Sequence, residues 1–219
     1  MLDRYLRAFT LALIALFSLV FVATAQEAGP NAAAEPTSPS TFTNINIKNF
    51  GQMDEHYYRG AQPLPEDYKA LADLGINTIV DLRNDPTDYE RSAAEAVGIK
   101  YISLPMSGWK TPKDADIARF LEIANDPATG TMYVHCKAGI HRTGITAAIY
   151  RMEKYGWDYD SAYREMKNYD WSSGLVHGAL GRYVKRYAAK LSDAREATAA
   201  AHKAAAGTST ASASLAPGI

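Results

Sequence analysis

The chain has very little cysteine: its 219 residues include one, Cys136. A single cysteine excludes an intrachain disulfide framework and any zinc site built from several cysteines. An excess of one charge is also absent, since 23 lysine and arginine residues stand against 24 aspartate and glutamate residues. This balance argues against a protein that binds nucleic acid through bulk charge, so no nucleic-acid partner is expected. The length and the 47% hydrophobic content fit one or at most two domains with a buried core.

Charge is missing altogether from residues 8–25, an apolar run that follows Arg4 and Arg7 and ends in Ala-Thr-Ala. A basic start, an apolar stretch and a small-residue ending are typical of a secretory signal peptide. We therefore predict a signal peptide over residues 1–25, cleavage before Gln26, and export to the periplasm or the exterior. The alternative is an uncleaved membrane anchor, because about 18 apolar residues is the lower limit for crossing a bilayer. Only in that case would a membrane be a partner. No cysteine follows the run, which excludes a lipidated anchor there.

The rest of the chain divides by composition, and no internal repeat is found. Residues 26–41 are rich in alanine, proline, serine and threonine, which predicts a flexible linker. Residues 42–191 are predicted to form one domain. Residues 192–219 are low in complexity; their alanine-rich start favours extension of a helix, whereas the small polar residues after Gly207 predict a disordered tail.

Helical and strand-like patterns alternate within the predicted domain. Helices are predicted over residues 64–74, 88–97, 112–124, 142–155, 158–168 and 176–191, with Thr111 as the N-cap of the third. Strands are predicted over residues 76–82, 99–104 and 132–135. Strands separated by helices of ten or more residues predict an α/β fold, with a mainly parallel central sheet flanked by helices on both faces. In such sheets ligands bind beyond the carboxyl ends of the strands.

One segment at such a strand end, YVHCKAGIHRTG (residues 133–144), carries the chemistry. An apolar strand leads to Cys136, five residues follow, and Arg142 and Thr143 then begin a helix. A glycine-containing loop of this kind can direct successive backbone N–H groups into one concavity, where they bind an anion. Arg142 adds a planar set of donors suited to two phosphate oxygens. The same positive field would stabilise a thiolate at Cys136 and make it a nucleophile near neutral pH.

The segment HCKAGIHRTG resembles the H-C-(five residues)-R-(S/T) signature loop of the cysteine-dependent protein tyrosine and dual-specificity phosphatases. The likeness extends over roughly residues 45–190. It includes YYRGAQPLPEDYKALADLGINTIVDLR, which is similar to the start of the compact bacterial, plant and fungal atypical dual-specificity phosphatases. The resemblance implies a phosphatase-type strand–loop–helix active site that needs neither a metal nor a cofactor.

The resemblance also implies roles for individual residues. Cys136 would attack phosphorus and form a phosphocysteine intermediate, and Thr143 would donate a hydrogen bond to its sulfur. His135 would help to set the loop and the pKa of the thiol. The equatorial phosphate oxygens would be bound by Arg142 and by the backbone amides of the loop, which comprises Lys137, Ala138, Gly139, Ile140, His141 and Arg142.

The family also uses an aspartate as a general acid on a loop upstream of the cysteine. The matching segment here is PMSGWKTPKDAD (residues 105–116), in which the compact W-P-D sequence of the larger tyrosine phosphatases is absent. Asp114 is the first candidate and Asp116 the second. Both lie closer in sequence to the cysteine than is usual, so an acid supplied elsewhere or by the substrate is the alternative.

These residues admit two other interpretations. The first is that Cys136 is a small buried hydrophobic residue, as a lone cysteine most often is. The second is that His135, Cys136 and His141 are metal ligands. The matching arginine and threonine argue against the first, and the lack of an evident fourth ligand argues against the second. Asp81 and Arg83 are predicted to be structural.

The expected substrate is a phosphorylated protein or a small phosphate ester, with phosphotyrosine first. The alternative is an inositol phosphate or pyrophosphate. Relatives with such substrates usually carry a lysine at the position of Ile140, and its absence argues against a heavily phosphorylated substrate. A non-catalytic phosphate-binding module is a further alternative, because the general acid is not fixed by the sequence.

Overall fold

The computed structural model of the protein describes residues 35–172, 174 and 177–212. The predicted signal peptide and residues 26–34 of the predicted linker lie outside the described residues, as does the end of the predicted tail, residues 213–219. Within the part that is described, no helix is both long enough and apolar enough to cross a membrane.

The described chain forms an α/β fold with five strands, six helices and one 3₁₀ turn. The strands are β1 (Gly51–Gln52), β2 (Tyr57–Ala61), β3 (Thr78–Arg83), β4 (Lys100–Met106) and β5 (Met132–Cys136). The helices are α1 (Asp67–Asp73), α2 (Glu90–Ala96), α3 (Asp114–Asn125), α4 (His141–Tyr155), α5 (Tyr159–Asn168) and α6 (Gly178–Ser212). The 3₁₀ turn spans Pro127–Thr129.

The five strands form one sheet in the order β1-β2-β5-β3-β4, and only β1 is antiparallel to its neighbour. The strand β5 is central, because it pairs with β2 on one side and with β3 on the other. Ala61 is the partner of Cys136, and Asp81 is the partner of His135. The carboxyl ends of three parallel strands therefore meet at Cys136, where ligands of such sheets bind.

Alternate residues of the strands fill two hydrophobic cores, as the pleat of a sheet requires. On one face Val80, Leu82 and Val134 pack in a core with residues of α3, α4, α5 and α6. On the other face Ile79 and Tyr133 pack in a second core with residues of α1 and α2. The predicted α/β class, with helices on both faces of a mainly parallel sheet, is confirmed.

The strands β1 and β2 were not predicted from the sequence. Arg59 and Gly60, a charged residue beside a glycine, lie inside β2 and are buried. Gly60 fits there because a side-chain carbon at this position would lie 2.3 Å from the Tyr133 hydroxyl. The prediction of Thr111 as the N-cap of α3 is wrong. The helix begins after Lys113, whose backbone N–H donates to the Asp116 carboxylate at 3.3 Å.

Both ends of the predicted domain differ from expectation. The last helix continues to Ser212, so the alanine-rich start of the tail extends the helix, as its composition favours, and residues 208–212, where disorder was predicted, are helical as well. In the predicted flexible linker, Thr37 lies against α5. Its backbone N–H and its hydroxyl donate to Glu165 at 2.9 and 3.0 Å, and its carbonyl accepts a bond from Asn168.

Candidate active site

The phosphate-binding loop predicted from the sequence lies at the carboxyl end of the central strand. Cys136 is the last residue of β5, and α4 begins at His141. Gly139 adopts φ +69°, a conformation that few residues other than glycine accept readily. A side-chain carbon there would also lie 2.5 Å from the Gly60 carbonyl carbon, so the loop sits directly against β2. Only a glycine satisfies both constraints.

Three successive carbonyl groups of the loop are held by donors from residues 49–62, a segment that we call the N-terminal clamp. The backbone N–H of Gln62 donates to the Lys137 carbonyl at 3.4 Å, and the Asn49 amide donates to the Ala138 carbonyl at 3.0 Å. The Arg59 guanidinium donates to the Gly139 carbonyl at 2.7 Å. Because C=O and N–H of one peptide unit point in opposite directions, the amides of residues 138–140 point away from the clamp. The clamp thus leaves the N–H groups of the loop available to an anion.

The Arg59 side chain is fully buried, and it stacks on Tyr169 with its guanidinium carbon 3.8 Å from the ring centre. Burial lowers the pKa of Arg59, although nearby groups that include Cys136 oppose this effect. Sequence reasoning missed the clamp because its donors are scattered. The feature of the sequence that indicated it was Arg59, a charged residue next to a glycine in the otherwise uncharged segment YYRGA.

Cys136 is 4% exposed, and burial alone would raise the pKa of its thiol. The hydroxyl and the backbone N–H of Thr143, the charge of Arg142 and the N–H of Ala138 stabilise the thiolate by more than burial destabilises it. The net effect is a pKa below the ordinary value of 9.0. The sulfur therefore lies in an environment that favours the thiolate.

The Arg142 guanidinium is held at the mouth of the loop by three acceptors. Its Nη1 donates to the Asn84 side chain at 3.1 Å and to the carbonyls of Met106 and Leu82 at 3.2 and 3.4 Å. These acceptors follow or belong to β3 and β4, so the carboxyl ends of two strands orient this arginine. A half-buried, oriented guanidinium is suited to two oxygens of a phosphate.

His135 lies beneath the loop in a fully buried group of ionisable side chains. Its Nε2 is 3.1 Å from Glu90 Oε2, and its Nδ1 is 3.9 Å from Asp81 Oδ1. Arg83 donates to Glu90 at 2.8 Å, and Asp81 accepts a hydrogen bond from Tyr101 at 2.7 Å. Burial alone would raise the pKa of Glu90. Its contacts with His135 and Thr87 and the charge of Arg83 have a larger, opposite effect, so the pKa of Glu90 lies below its ordinary value. Asp81 and Arg83 therefore organise the base of the loop, as predicted.

The residues able to hold a metal differ from the imagined set of His135, Cys136 and His141. Among the described side chains, Asp81, Glu90 and His135 place ligand atoms within 4.8 Å of one another. The Arg83 guanidinium already lies against Glu90 in this group and supplies a positive charge there. The group is thus a closed ion-pair network under the loop.

A cavity of about 430 Å³ opens above Cys136. The loop and the start of α4 contribute Lys137, Ala138, His141 and Arg142 to its lining, and the surrounding segments contribute Asn84, Asp85, Gly108, Trp109 and His177. Ile140 and Gly139 belong to the loop but not to this lining. The cavity therefore brings the predicted nucleophile and the predicted phosphate-binding arginine together.

One wall of the cavity is an aromatic stack. The rings of His141 and His177 are 3.6 Å apart and nearly parallel, and the Trp109 ring lies parallel to His177 at 5.3 Å. Trp109 is 67% exposed. Burial and the charges of His177 and Arg142 lower the pKa of His141, which favours its neutral form. This wall presents a flat aromatic surface beside an anion site.

The two predicted acids lie elsewhere. Asp114 lines a separate cavity with Tyr183 and Arg186, and it accepts a 3.4 Å hydrogen bond from the Tyr183 hydroxyl. Asp116 caps α3 through the backbone of Lys113. Neither lines the cavity above Cys136, so the structure does not bring them to the nucleophile.

Comparison with known proteins agrees with this geometry. The model of the family described as DSP-PTPase phosphatase fused to NAD+ kinase matches residues 35–178. The chain is 31% identical over 144 residues to the dual specificity protein phosphatase TpbA of Pseudomonas aeruginosa, covering 64% of this chain and 64% of TpbA. It is 30% identical over 134 residues to the inositol diphosphatase DSP3 of Arabidopsis thaliana, covering 58% of this chain and 63% of DSP3. The chain thus spans somewhat less than two thirds of the length of these relatives.

The crystal structure of TpbA superposes with a TM-score of 0.57 at 25% identity, covering 68% of this chain and 89% of the TpbA chain. A structure of a TpbA variant in complex with pTyr gives a TM-score of 0.51 at 27% identity, covering 64% and 90%. The chain belongs to the DSP-PTPase family of dual-specificity cysteine phosphatases.

Proposed function

We propose that this protein is a metal-independent phosphatase that hydrolyses phosphate monoesters through a phosphocysteine at Cys136, with phosphotyrosine in proteins as its substrate class. The observation that carries the proposal is the cavity in which an activated Cys136, the loop amides and Arg142 converge on one anion site. The name of TpbA and its pTyr complex support the same activity.

In the first step the Cys136 thiolate attacks phosphorus, and the bond from phosphorus to the leaving oxygen breaks. Charge on the equatorial oxygens is stabilised by the N–H groups that the clamp leaves available and by Arg142, which are fixed before the substrate arrives. In the second step water attacks the phosphocysteine, and the sulfur leaves as a thiolate stabilised by Thr143. Arg142 and the N–H groups of the loop thus stabilise the negative charge of the phosphate.

The aromatic stack of Trp109, His177 and His141 supports an aryl phosphate as the substrate. A phenyl ring attached to a phosphate over Cys136 would lie beside this wall, and such ring pairs are favoured beyond their buried area. A serine or threonine phosphate has no ring to place there. We expect a higher kcat/KM for phosphotyrosine peptides than for phosphoserine peptides.

The second candidate substrate is an inositol phosphate or pyrophosphate, which the likeness to the diphosphatase DSP3 favours. Such a polyanion needs more positive charge than Arg142 and Lys137 supply at this cavity. The further lysine that relatives with such substrates usually carry is replaced here by Ile140. Steady-state kinetics with phosphotyrosine peptides and inositol hexakisphosphate tests the choice. A large preference for the inositol compound would reverse the ranking.

Catalysis itself is tested by turnover of para-nitrophenyl phosphate, which has a good leaving group, by the wild type and by Cys136→Ser. The proposal predicts loss of turnover in the variant with Tm unchanged. Equal rates would refute the cysteine mechanism, and a wild type that binds phosphate without turnover would support the non-catalytic binding module instead.

Export is part of the proposal. The apolar run that follows Arg4 and Arg7 supports a signal peptide over residues 1–25. N-terminal sequencing of the protein from the periplasm or medium should begin at Gln26. A membrane-bound product that retains residue 1 would support the anchor alternative.

A further inference from the structure

The mechanism above lacks one component, a group that gives a proton to the leaving oxygen. A leaving group of high pKa, such as the phenolate of tyrosine, departs slowly without a general acid. The two acids predicted from the sequence, Asp114 and Asp116, lie outside the cavity that holds Cys136. The acid must therefore be sought among the groups that line this cavity.

Of the residues that the structure describes, Asp85 supplies the one carboxyl group in the lining of that cavity. It lies in the segment between β3 and α2, at the carboxyl end of a strand that adjoins β5. The residue before it, Asn84, accepts a 3.1 Å hydrogen bond from Arg142, the arginine proposed to hold the phosphate. Asp85 is therefore the sequence neighbour of a residue that contacts the phosphate-binding Arg142.

Asp85 is fixed in place although 63% of its side chain is exposed. The buried Arg83 donates from Nη2 to the Asp85 carbonyl, and its Nε lies 3.6 Å from the Asp85 carboxylate. Arg83 is itself held by Glu90 in the network beneath the loop. A proton donor needs an accessible carboxyl on a fixed backbone, and this arrangement provides both.

The other groups of the lining that can exchange protons fit the task less well. The His141 ring is stacked on His177, its Nε2 lies 3.2 Å from the Ser172 carbonyl, and its lowered pKa favours the neutral form. The His177 ring stacks on those of Trp109 and His141 in the cavity wall, and the His177→Gln variant in the test below separates it from Asp85. Lys137 is a loop cation that attracts the phosphate.

We propose that Asp85 is the general acid and base of this phosphatase, an inference that rests on the proposed function. As the Cys136 sulfur forms its bond to phosphorus, the departing oxygen takes the proton of the Asp85 carboxyl, which becomes a carboxylate. The carboxylate then takes a proton from the water that attacks the phosphocysteine. The thiolate leaves, and the enzyme returns to its starting state with phosphate and the alcohol as products.

The test compares two aryl phosphates that differ in their leaving group, para-nitrophenyl phosphate and phenyl phosphate. General acids contribute about 100-fold or more to rate, so Asp85→Asn should lower kcat/KM for phenyl phosphate by about that factor. It should lower kcat/KM for para-nitrophenyl phosphate far less, because kcat/KM reports the step in which the leaving group departs and nitrophenolate departs without a proton. Asp88→Asn is the matched control, because Asp88 is an exposed carboxylate in the same segment and outside the cavity lining. Asp85→Glu keeps the carboxyl and should restore part of the phenyl phosphate rate.

Three outcomes would overturn the inference. They are an equal leaving-group dependence of kcat/KM in Asp85→Asn and Asp88→Asn, an equal loss of kcat/KM for both substrates in Asp85→Asn, and a selective loss of kcat/KM for phenyl phosphate in Asp114→Asn or His177→Gln without one in Asp85→Asn. The proposed function fails separately, if the wild type turns over neither compound or if Cys136→Ser retains full activity.

Discussion

At the scale of single residues, the environment of Cys136 decides between an inert and a reactive thiol. A buried cysteine usually behaves as a small hydrophobic residue, and Cys136 is 4% exposed. Its pKa is nevertheless below the ordinary value, because Thr143, Arg142 and Ala138 offer more stabilisation to the thiolate than burial removes. The residue types around the cysteine in the sequence predicted these partners, whereas the extent of burial could not be inferred from spacing alone.

Replacing Thr143 by valine tests this balance. Valine removes the hydroxyl that stabilises the sulfur, so the pKa of Cys136 should rise by roughly one unit, the equivalent of one hydrogen bond to a charged group. The rate of alkylation by iodoacetamide as a function of pH reports the thiolate, and its midpoint should move to higher pH.

Thr146→Val provides the control, because the Thr146 hydroxyl donates to the carbonyls of Arg142 and Thr143 rather than to the sulfur. Its alkylation midpoint should match the wild type. A midpoint that does not move in Thr143→Val would contradict the assigned role of the hydroxyl.

At the scale of elements, the sequence predicted the strands that are continuous apolar runs and the helices that end at a glycine. The apolar runs that form β3, β4 and β5 were recognised, and α4 ends where predicted, before Gly156 with φ +71°. The strand β2 was missed because a strand containing Arg59 and Gly60 has no apolar alternation, and its burial follows from contacts with distant parts of the chain. The general acid could not be placed because its position depends on which loops surround the cavity.

The N-terminal clamp should control how well the loop binds an anion. Arg59→Met removes the donor to the Gly139 carbonyl and leaves that carbonyl without this bond, a cost of about 1–3 kcal/mol. Arg59→Lys keeps the charge but loses the planar set of donors. Inorganic phosphate should therefore inhibit the wild type most strongly, Arg59→Lys less and Arg59→Met least.

Lys48→Met is a suitable control, because Lys48 is exposed beside the same segment and its side chain pairs only loosely, at 3.8 Å, with Asp170. Its inhibition constant should equal that of the wild type. Equal inhibition of wild type and Arg59→Met, at unchanged Tm, would show that the clamp does not shape the anion site.

At the scale of the whole molecule, α6 divides into a part that belongs to the core and a part that does not. Leu180 and Val184 are fully buried in the core on one face of the sheet. Residues 192–205 are all exposed. The boundary of the catalytic domain near residue 191 therefore stays a prediction that deletion can test.

Removing residues 192–219 should leave kcat/KM unchanged and Tm within a few degrees of the wild type, because residues 192–205 are exposed and bury little apolar surface. Removing residues 178–219 takes Leu180 and Val184 from the core and should abolish cooperative unfolding, since each buried side chain contributes about 2–3 kcal/mol. Thermal unfolding followed by circular dichroism checks both. A large loss of Tm in the shorter deletion would move the domain boundary into the exposed part of the helix.

The proposed mechanism passes the phosphoryl group through a covalent bond to Cys136. The most direct measurement is mass spectrometry of the peptide that contains Cys136, after the enzyme and para-nitrophenyl phosphate are mixed and quenched within the first turnover. The covalent mechanism predicts a phosphoryl group on the Cys136 sulfur during turnover, and its absence in Cys136→Ser. Turnover of the substrate by the wild type without any phosphoryl adduct on Cys136, at quench times that span the first turnover, would contradict it.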